Sequence, residues 1–303
     1  MNKAIISILI LATLLSVVLV ASSQTKGDTA KVVDAPRTSG KRESYVFKSP
    51  DNPELTVFYA LPPKITPQTR VLIVIAGRQR DADVYLESWI DWGSKNNFVV
   101  VAPQFDKDNW PEGLGYGFGN IASGKESKNT PNPQSKWAFT VVEQLFENIR
   151  KTYSLAVDDY VLFGHSGGGQ FVHRFMLFLP KNHVRLAIAA NPGFYTLPDL
   201  ELDFPYGLRK SPIVISKQQL LDWTNANLIL MRGTADIQRT ESLRQTPEAD
   251  AQGRTRFERA AFMFAKIKAF NPNTRWTLID VPGVAHDQKG MAAAAQKVIV
   301  DTK

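Results

Sequence analysis

The chain has 303 residues, of which 44% are hydrophobic and 21% charged, a composition that is typical of a folded globular protein and excludes disorder throughout. It contains no cysteine, which excludes a disulfide framework, a thiolate nucleophile and a cysteine-ligated metal site. The formal net charge is +7, but the lysines and arginines are spread along the chain, so we expect no binding to nucleic acid.

The first residues have the pattern of an export signal. Lys3 precedes an almost wholly apolar run over residues 4–20, and the small residues 21–23 follow at the spacing that signal peptidase requires. We expect residues 1–23 to be a cleaved signal peptide and the protein to be periplasmic or extracellular. The alternative is an uncleaved membrane anchor through residues 4–20, because this run lies at the lower limit of roughly 17 to 25 residues for a membrane span.

The segment that follows the apolar run predicts a flexible linker. Residues 24–43 are polar, of mixed charge and without periodicity. Residues 44–303 remain for one large domain, since a chain of this length is near the limit at which a single hydrophobic core stops growing.

Beyond the linker, short apolar runs alternate with longer segments whose apolar residues recur at i, i+3 and i+4. The runs lack polar–apolar alternation, as strands buried on both faces do, and they cover residues 71–75, 98–101, 160–163, 186–189 and 228–231. The helical segments lie around residues 86–93, 138–149, 169–180 and 254–270, and a further strand is expected over residues 276–281. This order predicts an α/β fold, a mostly parallel sheet with helices on both faces.

Other segments of the domain depart from this alternation. Residues 55–59 predict an antiparallel strand at the edge of the sheet. Residues 103–135 and 191–215 are rich in glycine, proline and aromatic residues and predict long loops, which in a compact domain usually carry function.

A Gly-x-Ser-x-Gly pattern occurs at Gly164, Ser166 and Gly168. The motif alone is weak, but it lies between a buried apolar run and an apolar helical segment. A serine on such a sharp strand-to-helix turn is lifted out of the sheet, and the first N–H groups of the helix are directed at the same place, where they stabilise an oxyanion. We therefore predict that Ser166 is a nucleophile. The alternative is a glycine-rich turn used only for close packing.

A serine hydroxyl requires a neighbouring base, and histidine has a suitable ordinary pKa of about 6.5. Of the four histidines, His286 alone follows a predicted strand at the sheet edge that also carries Ser166. His165, His173 and His183 are expected to be structural, because their positions in the elbow, along its helix and beyond the helix end direct them elsewhere.

The orienting acid should also follow a strand at this edge. Asp236 fits, because it comes shortly after residues 228–231 and would hold the His286 ring in the right tautomer. Asp203, Asp222 and Asp287 are the competitors.

The order of strand, elbow, acid and histidine resembles the α/β-hydrolase superfamily over residues 45–300. The segments 75–78, 99–104 and 164–169 are similar to secreted esterases of the poly(3-hydroxyalkanoate) depolymerase and feruloyl-esterase type. The resemblance implies that the backbone N–H groups of Gly167 and Arg78 form the oxyanion hole, with Gln79 as the second choice for the latter. This chain has Ala76 where that family normally has histidine, and it lacks the family's disulfides and a separate domain for binding solid polymer.

Aromatic residues on the long loops could shape a substrate pocket. The candidates are Trp110, Tyr116 and Phe118 on one loop and Phe194 and Tyr195 on another, with packing of the loops onto the domain as the equal alternative. The glycines around Tyr116 do not form a dinucleotide fingerprint, and no grouping of histidine and carboxylate has metal-ligand spacing, so we expect no cofactor and no metal.

The leading hypothesis is an exported serine hydrolase that cleaves a small-molecule or polymeric carboxylic ester through an acyl-enzyme. A serine peptidase and an acyltransferase would use the same triad. A non-catalytic envelope protein that kept the fold is a third alternative. We expect contact with a membrane only if the apolar segment is uncleaved.

Overall fold

The computed structural model describes residues 39–126 and 128–301. The predicted signal peptide and most of the predicted linker lie outside these residues. At the described end of the linker, Ser39 forms an isolated bridge with Leu61, and Glu43 begins the first strand. Within the described residues, no helix is both long enough and apolar enough to cross a membrane.

Strands and helices alternate along the described part of the chain. The strands are β1 (Glu43–Phe47), β2 (Leu55–Ala60), β3 (Arg70–Ile75), β4 (Phe98–Gln104), β5 (Ala122–Lys125), β6 (Lys128–Pro131), β7 (Tyr160–His165), β8 (Val184–Ala190), β9 (Leu228–Gly233) and β10 (Thr277–Val281). The helices are α1 (Ala82–Glu87), α2 (Ile90–Asn96), α3 (Ala138–Tyr153), α4 (Gly167–Phe178), α5 (Lys217–Thr224), α6 (Pro247–Asp250), α7 (Arg256–Phe270) and α8 (Gln288–Asp301).

Eight of the described strands form one sheet in the order β1-β2-β4-β3-β7-β8-β9-β10. The six strands β4, β3, β7, β8, β9 and β10 are parallel to one another, and β2 is antiparallel to both β1 and β4. The carboxyl ends of the parallel strands therefore meet at one edge of the sheet. The mostly parallel sheet predicted from the sequence is confirmed.

Alternate residues of the central strands pack into two separate cores. Val71 and Ile73 join the core that includes residues of α3, α4 and α7, whereas Leu72 and Val74 join the core that includes residues of α1 and α8. All four side chains are fully buried. Complete burial of an aliphatic side chain contributes about 1.5 to 3 kcal/mol to the free energy of unfolding. A strand that is apolar on both faces gains this contribution on each face only when helices cover both sides of the sheet.

The structure corrects the prediction that residues 55–59 form the edge strand. The strand β2 exists and is antiparallel, but β1 pairs along its outer side and is itself the edge. The first four side chains of β1 alternate between partly buried and exposed positions and only Phe47 is buried, so this strand lacks the long buried run by which the central strands were recognised.

Two helical regions also differ from the sequence pattern. The apolar stripe expected to end at Gly93 forms two short helices, α1 and α2, and the second continues to Asn96 before Asn97 adopts a left-handed conformation with φ 58°. The loop over residues 103–135 contains an unpredicted hairpin, β5–β6. The segment 191–215 has no helix or strand beyond an isolated bridge, as expected of a long loop.

Candidate active site

The candidate nucleophile lies on a strained turn between β7 and α4. Ser166 has φ 57° and ψ −116°, a conformation that a residue with a side chain rarely adopts. Gly168 packs against the carbonyl oxygens of Ile75 and Ala76 so closely that a Cβ atom there would overlap them. Only glycine allows the helix to approach the sheet in this way, and this approach presents Ser166 above the carboxyl edge.

The structure brings the predicted serine, acid and histidine together. The Nε2 atom of His286 lies 2.9 Å from the Oγ atom of Ser166, and its Nδ1 atom lies 2.7 Å from the Oδ2 atom of Asp236. Asp236 follows β9 and His286 follows β10, so the parallel sheet places both beside the elbow. The Asp236 side chain is 1% exposed and the His286 side chain 26%, an arrangement in which the acid is shielded and the base is accessible.

The competing carboxylates have other partners in the structure. Asp203 pairs with Arg209 and Lys210 at the surface. Asp222 lies on α5 and accepts a hydrogen bond from the side chain of Gln218. Asp287 accepts the backbone N–H group of Gly290 at the start of α8.

The three other histidines occupy different environments. His165 is buried beside the site, where its Nδ1 atom lies 3.0 Å from the Tyr85 hydroxyl. His173 is buried within α4 and hydrogen-bonds the carbonyl of Gly169, and His183 pairs with Glu143 at the far edge of the sheet. None of the three lies within hydrogen-bond distance of Ser166 in the part of the chain that the structure describes.

A buried asparagine that the sequence analysis did not single out connects two loops of the site. One loop follows β9 and carries Asp236, and the other follows β10 and carries His286. The Oδ1 atom of Asn191 accepts the N–H group of Gly233, and its Nδ2 atom donates to the carbonyl of Ala285. Asn191 follows β8, which lies next to β9 in the sheet. Its position directly after a buried strand, at the sheet edge that carries Ser166, could have identified Asn191 as a residue of the site from the sequence.

Arg256 is a second residue that the sequence analysis missed. Its Nη1 atom lies 3.5 Å from the Oδ1 atom of Asp236, and both side chains are almost fully buried. The Nη2 atom donates to the hydroxyl of Ser242. Burial lowers the pKa of Arg256, while the neighbouring carboxylate of Asp236 favours the charged form. The arginine therefore places a positive charge behind the carboxylate that contacts His286.

The two backbone groups that the family resemblance assigns to the oxyanion hole lie side by side. A Cβ atom placed on Gly167 would lie 3.1 Å from the backbone nitrogen of Arg78. Among the described residues, no hydrogen-bond partner is found for either backbone N–H group. Both groups are thus available to a ligand. The side chain of Arg78 donates to the carboxylate of Glu112, so only the backbone of Arg78 is assigned to the oxyanion hole. Gln79, the second choice, does not line the cavity described next.

A cavity of about 280 Å³ opens beside Ser166. Its apolar wall contains Tyr116, Phe118 and Phe194, three of the aromatic residues that the sequence suggested for a pocket. Its charged residues are Arg78, Arg80, Glu112, Glu241, Arg244 and Arg256. Four arginines and two glutamates thus line the cavity beside the candidate nucleophile.

The other two predicted pocket aromatics do not line this cavity. Trp110 is 1% exposed and packs edge-on against Phe105 in the core. Tyr195 is fully buried and packs against the ring of His173. Both side chains hold their loops onto the domain, which is the packing role that the sequence analysis weighed equally.

No group of three or more histidine, aspartate or glutamate side chains within the described residues has an arrangement that could hold a metal ion.

Comparison with known proteins places the chain in a family. No protein-family model matches it, and no curated protein does. Among solved structures, a poly(aspartic acid) hydrolase from Sphingomonas sp. KT-1 has 35% sequence identity over 87% of this chain and 100% of its own, with a TM-score of 0.81. The chain belongs to the α/β-hydrolase superfamily.

Two further structures resemble this α/β-hydrolase. LpqC, a poly(3-hydroxybutyrate) depolymerase from Bordetella parapertussis, has 28% identity over 87% of this chain and 90% of its own, with a TM-score of 0.79. An S-formylglutathione hydrolase from Agrobacterium tumefaciens has 17% identity over 88% of this chain and 96% of its own, with a TM-score of 0.55, a likeness that concerns the fold alone. The predicted resemblance to depolymerase-type α/β-hydrolases is confirmed.

Proposed function

We propose that this α/β-hydrolase is a serine hydrolase that cleaves carboxylic esters through an acyl-enzyme on Ser166. The observation that carries the proposal is the pair of contacts made by His286, at 2.9 Å from the Ser166 hydroxyl and 2.7 Å from the Asp236 carboxylate. A histidine between a hydroxyl and a buried carboxylate is oriented to accept a proton from the one while the other stabilises the resulting imidazolium.

Each step of the reaction uses groups of this chain. His286 Nε2 accepts the hydroxyl proton as Ser166 Oγ bonds to the ester carbonyl carbon, and the N–H groups of Arg78 and Gly167 bind the oxyanion. The bond to the alcohol oxygen then breaks, and the proton passes from His286 to that oxygen. In the second half of the reaction, the acyl-enzyme is hydrolysed. His286 accepts a proton from water as the water attacks the acyl carbonyl carbon, and this proton passes to Ser166 Oγ as the bond to the acyl group breaks and the carboxylic acid leaves.

Turnover of aryl esters tests this proposal. Wild-type protein should release the aryl alcohol with a burst when the acyl-enzyme accumulates. Replacing Ser166 by alanine removes one hydroxyl and should reduce turnover by about 10⁶-fold, the loss that removal of a triad serine causes. The fold should be retained, as measured by circular dichroism. Turnover that persists in Ser166→Ala after repurification would refute the assignment.

A second candidate reaction is cleavage of an amide bond in a polymer that carries carboxylates. It is favoured by the 35% identity to a poly(aspartic acid) hydrolase and by the arginine side chains that line the cavity. Arg78, Arg244 and Arg256 each have a carboxylate partner, and Arg80 donates to the carbonyl groups of Phe105 and Trp110. The lining arginines therefore offer guanidinium donors that can bind a carboxylate of the substrate, rather than a net positive charge.

Substrate charge distinguishes the two candidates. An aryl hemisuccinate and an aryl butyrate have similar acyl chains, but only the first carries a carboxylate. We expect a higher kcat/KM for the hemisuccinate, a preference that decreases with added salt and in Arg244→Gln. Arg209→Gln, which changes an exposed arginine paired with Asp203, is the matched control. Equal kcat/KM values for the two esters would oppose an anionic substrate, and shortening of poly(aspartic acid) would favour the amide reaction.

We also propose that the protein is exported. The proposal rests on the apolar run at residues 4–20 and on the small residues that follow it. Expression of the full chain should yield a mature protein in the periplasm or medium whose first residue lies near position 24. A full-length protein that stays with the membrane fraction would favour the uncleaved anchor instead. The peptidase, acyltransferase and non-catalytic alternatives are separated by assays with peptide amides, with added alcohols as acyl acceptors, and with the aryl esters.

A further inference from the structure

The peptide unit that joins Ala76 to Gly77 precedes the oxyanion residue Arg78 and contacts two tyrosine hydroxyls. Tyr116 donates its hydroxyl hydrogen to the carbonyl oxygen of Ala76 at 2.6 Å. Tyr85 contacts the other side, where a Cβ atom placed on Gly77 would lie 2.5 Å from its hydroxyl oxygen. A side chain at position 77 would therefore displace Tyr85.

Both hydroxyl groups are fixed in place and remain protonated. Burial raises the pKa of Tyr85, and a hydrogen bond from the Gly77 backbone acts in the opposite direction. Burial likewise raises the pKa of Tyr116. The Tyr85 hydroxyl also lies 3.0 Å from the Nδ1 atom of His165, and the guanidinium of Arg80 lies 3.5 Å above the Tyr116 ring. Neither tyrosine can rotate without breaking these contacts.

The position of the Arg78 N–H group depends on this peptide unit. The turn that follows closes when the N–H group of Arg80 donates to the carbonyl of Gly77 at 3.1 Å. With one peptide group held by the tyrosines and the turn closed behind it, the Arg78 N–H group has a fixed direction beside Gly167. A shift of about 1 Å in such a donor can reduce the rate by about two orders of magnitude.

We propose that Tyr85 and Tyr116 are positioning residues that hold the oxyanion loop through the Ala76–Gly77 peptide. This inference rests on the proposed function, because an oxyanion forms only if Ser166 attacks a carbonyl. Tyr85 comes from α1 and Tyr116 from the loop over residues 103–135. The Arg78 N–H group, one of the two proposed oxyanion donors, therefore depends on contacts from two distant segments.

Tyrosine-to-phenylalanine variants test the proposal because they remove the hydroxyl and keep the ring. We expect Tyr116→Phe and Tyr85→Phe each to lower kcat for an aryl ester by about tenfold or more, with KM changed by less than about threefold, since removal of an oxyanion donor itself costs about 10² to 10³. Tyr160→Phe is the matched control, because Tyr160 is also buried but its hydroxyl donates to Glu143. Equal kcat values in all three variants would overturn the proposal.

Hydrogen exchange provides a readout that does not require activity. Mass spectrometry of peptides covering residues 77–81 should show faster amide exchange in Tyr116→Phe and Tyr85→Phe than in wild-type protein and in Tyr160→Phe. Unchanged exchange would overturn the proposal even if kcat falls. If wild-type protein has no Ser166-dependent turnover, the proposed function fails, and exchange alone then decides whether the tyrosines hold this loop.

Discussion

The ring of His165 packs against the ring of His286, with 4.7 Å between the two centroids. Burial lowers the pKa of His165 well below its ordinary value, and the nearby charges of His286 and Arg256 act in the same direction. The neutral form of His165 is therefore favoured. The candidate base His286 thus packs against an uncharged ring that comes from inside the Gly-x-Ser-x-Gly motif.

Buried histidines should make the protein less stable in mild acid. Burial also lowers the pKa of His173, and the charge of Arg174 adds to this effect. Below pH about 6.5 the unfolded chain binds a proton at His165 and at His173 while the folded chain does not, so the free energy of unfolding should decrease as the pH falls, by up to about 1.4 kcal/mol per pH unit for each histidine.

Urea titrations between pH about 7.5 and about 5.5 measure this slope while most carboxylates remain ionised. His173→Gln should reduce the slope, because it removes one of the two groups. A free energy of unfolding that does not change over this range would mean that both histidines bind protons in the folded state.

The buried contact between Arg256 and Asp236 should support both stability and rate. Arg256→Gln leaves a buried carboxylate without its positive neighbour, which costs about 3 kcal/mol or more, and allows the carboxylate to rotate away from His286. We expect kcat to fall by about tenfold or more, with partial recovery in Arg256→Lys. Arg209→Gln, at an exposed pair, should change stability by less than about 1 kcal/mol. Unchanged kcat in Arg256→Gln would exclude this role.

Replacing the acid should test its tautomeric role. Asp236→Asn keeps the shape of the side chain but favours the wrong tautomer of His286, a change that elsewhere reduces turnover by about 10⁴-fold. Asp222→Asn, on α5, is the control and should keep wild-type turnover. If Asp236→Asn retains more than about a tenth of the wild-type kcat, the orienting acid is another residue.

The aromatic residues should separate into a cavity group and a packing group. Phe194 lines the cavity, so Phe194→Ala should change the ratio of kcat/KM between short and long acyl esters by about 1 to 3 kcal/mol. Trp110 does not line it, so Trp110→Ala should cost about 3 to 5 kcal/mol of stability and leave that ratio unchanged. A change of acyl preference in Trp110→Ala alone would mean that the substrate binds elsewhere.

Much of this arrangement could be predicted from the sequence because it follows from strand ends. Each candidate catalytic residue comes shortly after an apolar run, and parallel strands bring such positions to one edge. Asn191 and Arg256 were missed because their roles depend on contacts between distant segments, which periodicity does not reveal. The sequence also left open whether Trp110 and Tyr195 line a pocket or pack onto the domain, because an aromatic residue on a loop has the same pattern whether it faces the core or a ligand.

The most direct test of the central claim is covalent labelling of the purified protein with a fluorophosphonate, which reacts with an activated serine. We expect a single adduct, detected by intact mass and located on Ser166 by peptide sequencing. Labelling should be absent in Ser166→Ala and strongly slowed in Asp236→Asn. An adduct on another residue, or none on folded wild-type protein, would show that Ser166 is not an activated nucleophile.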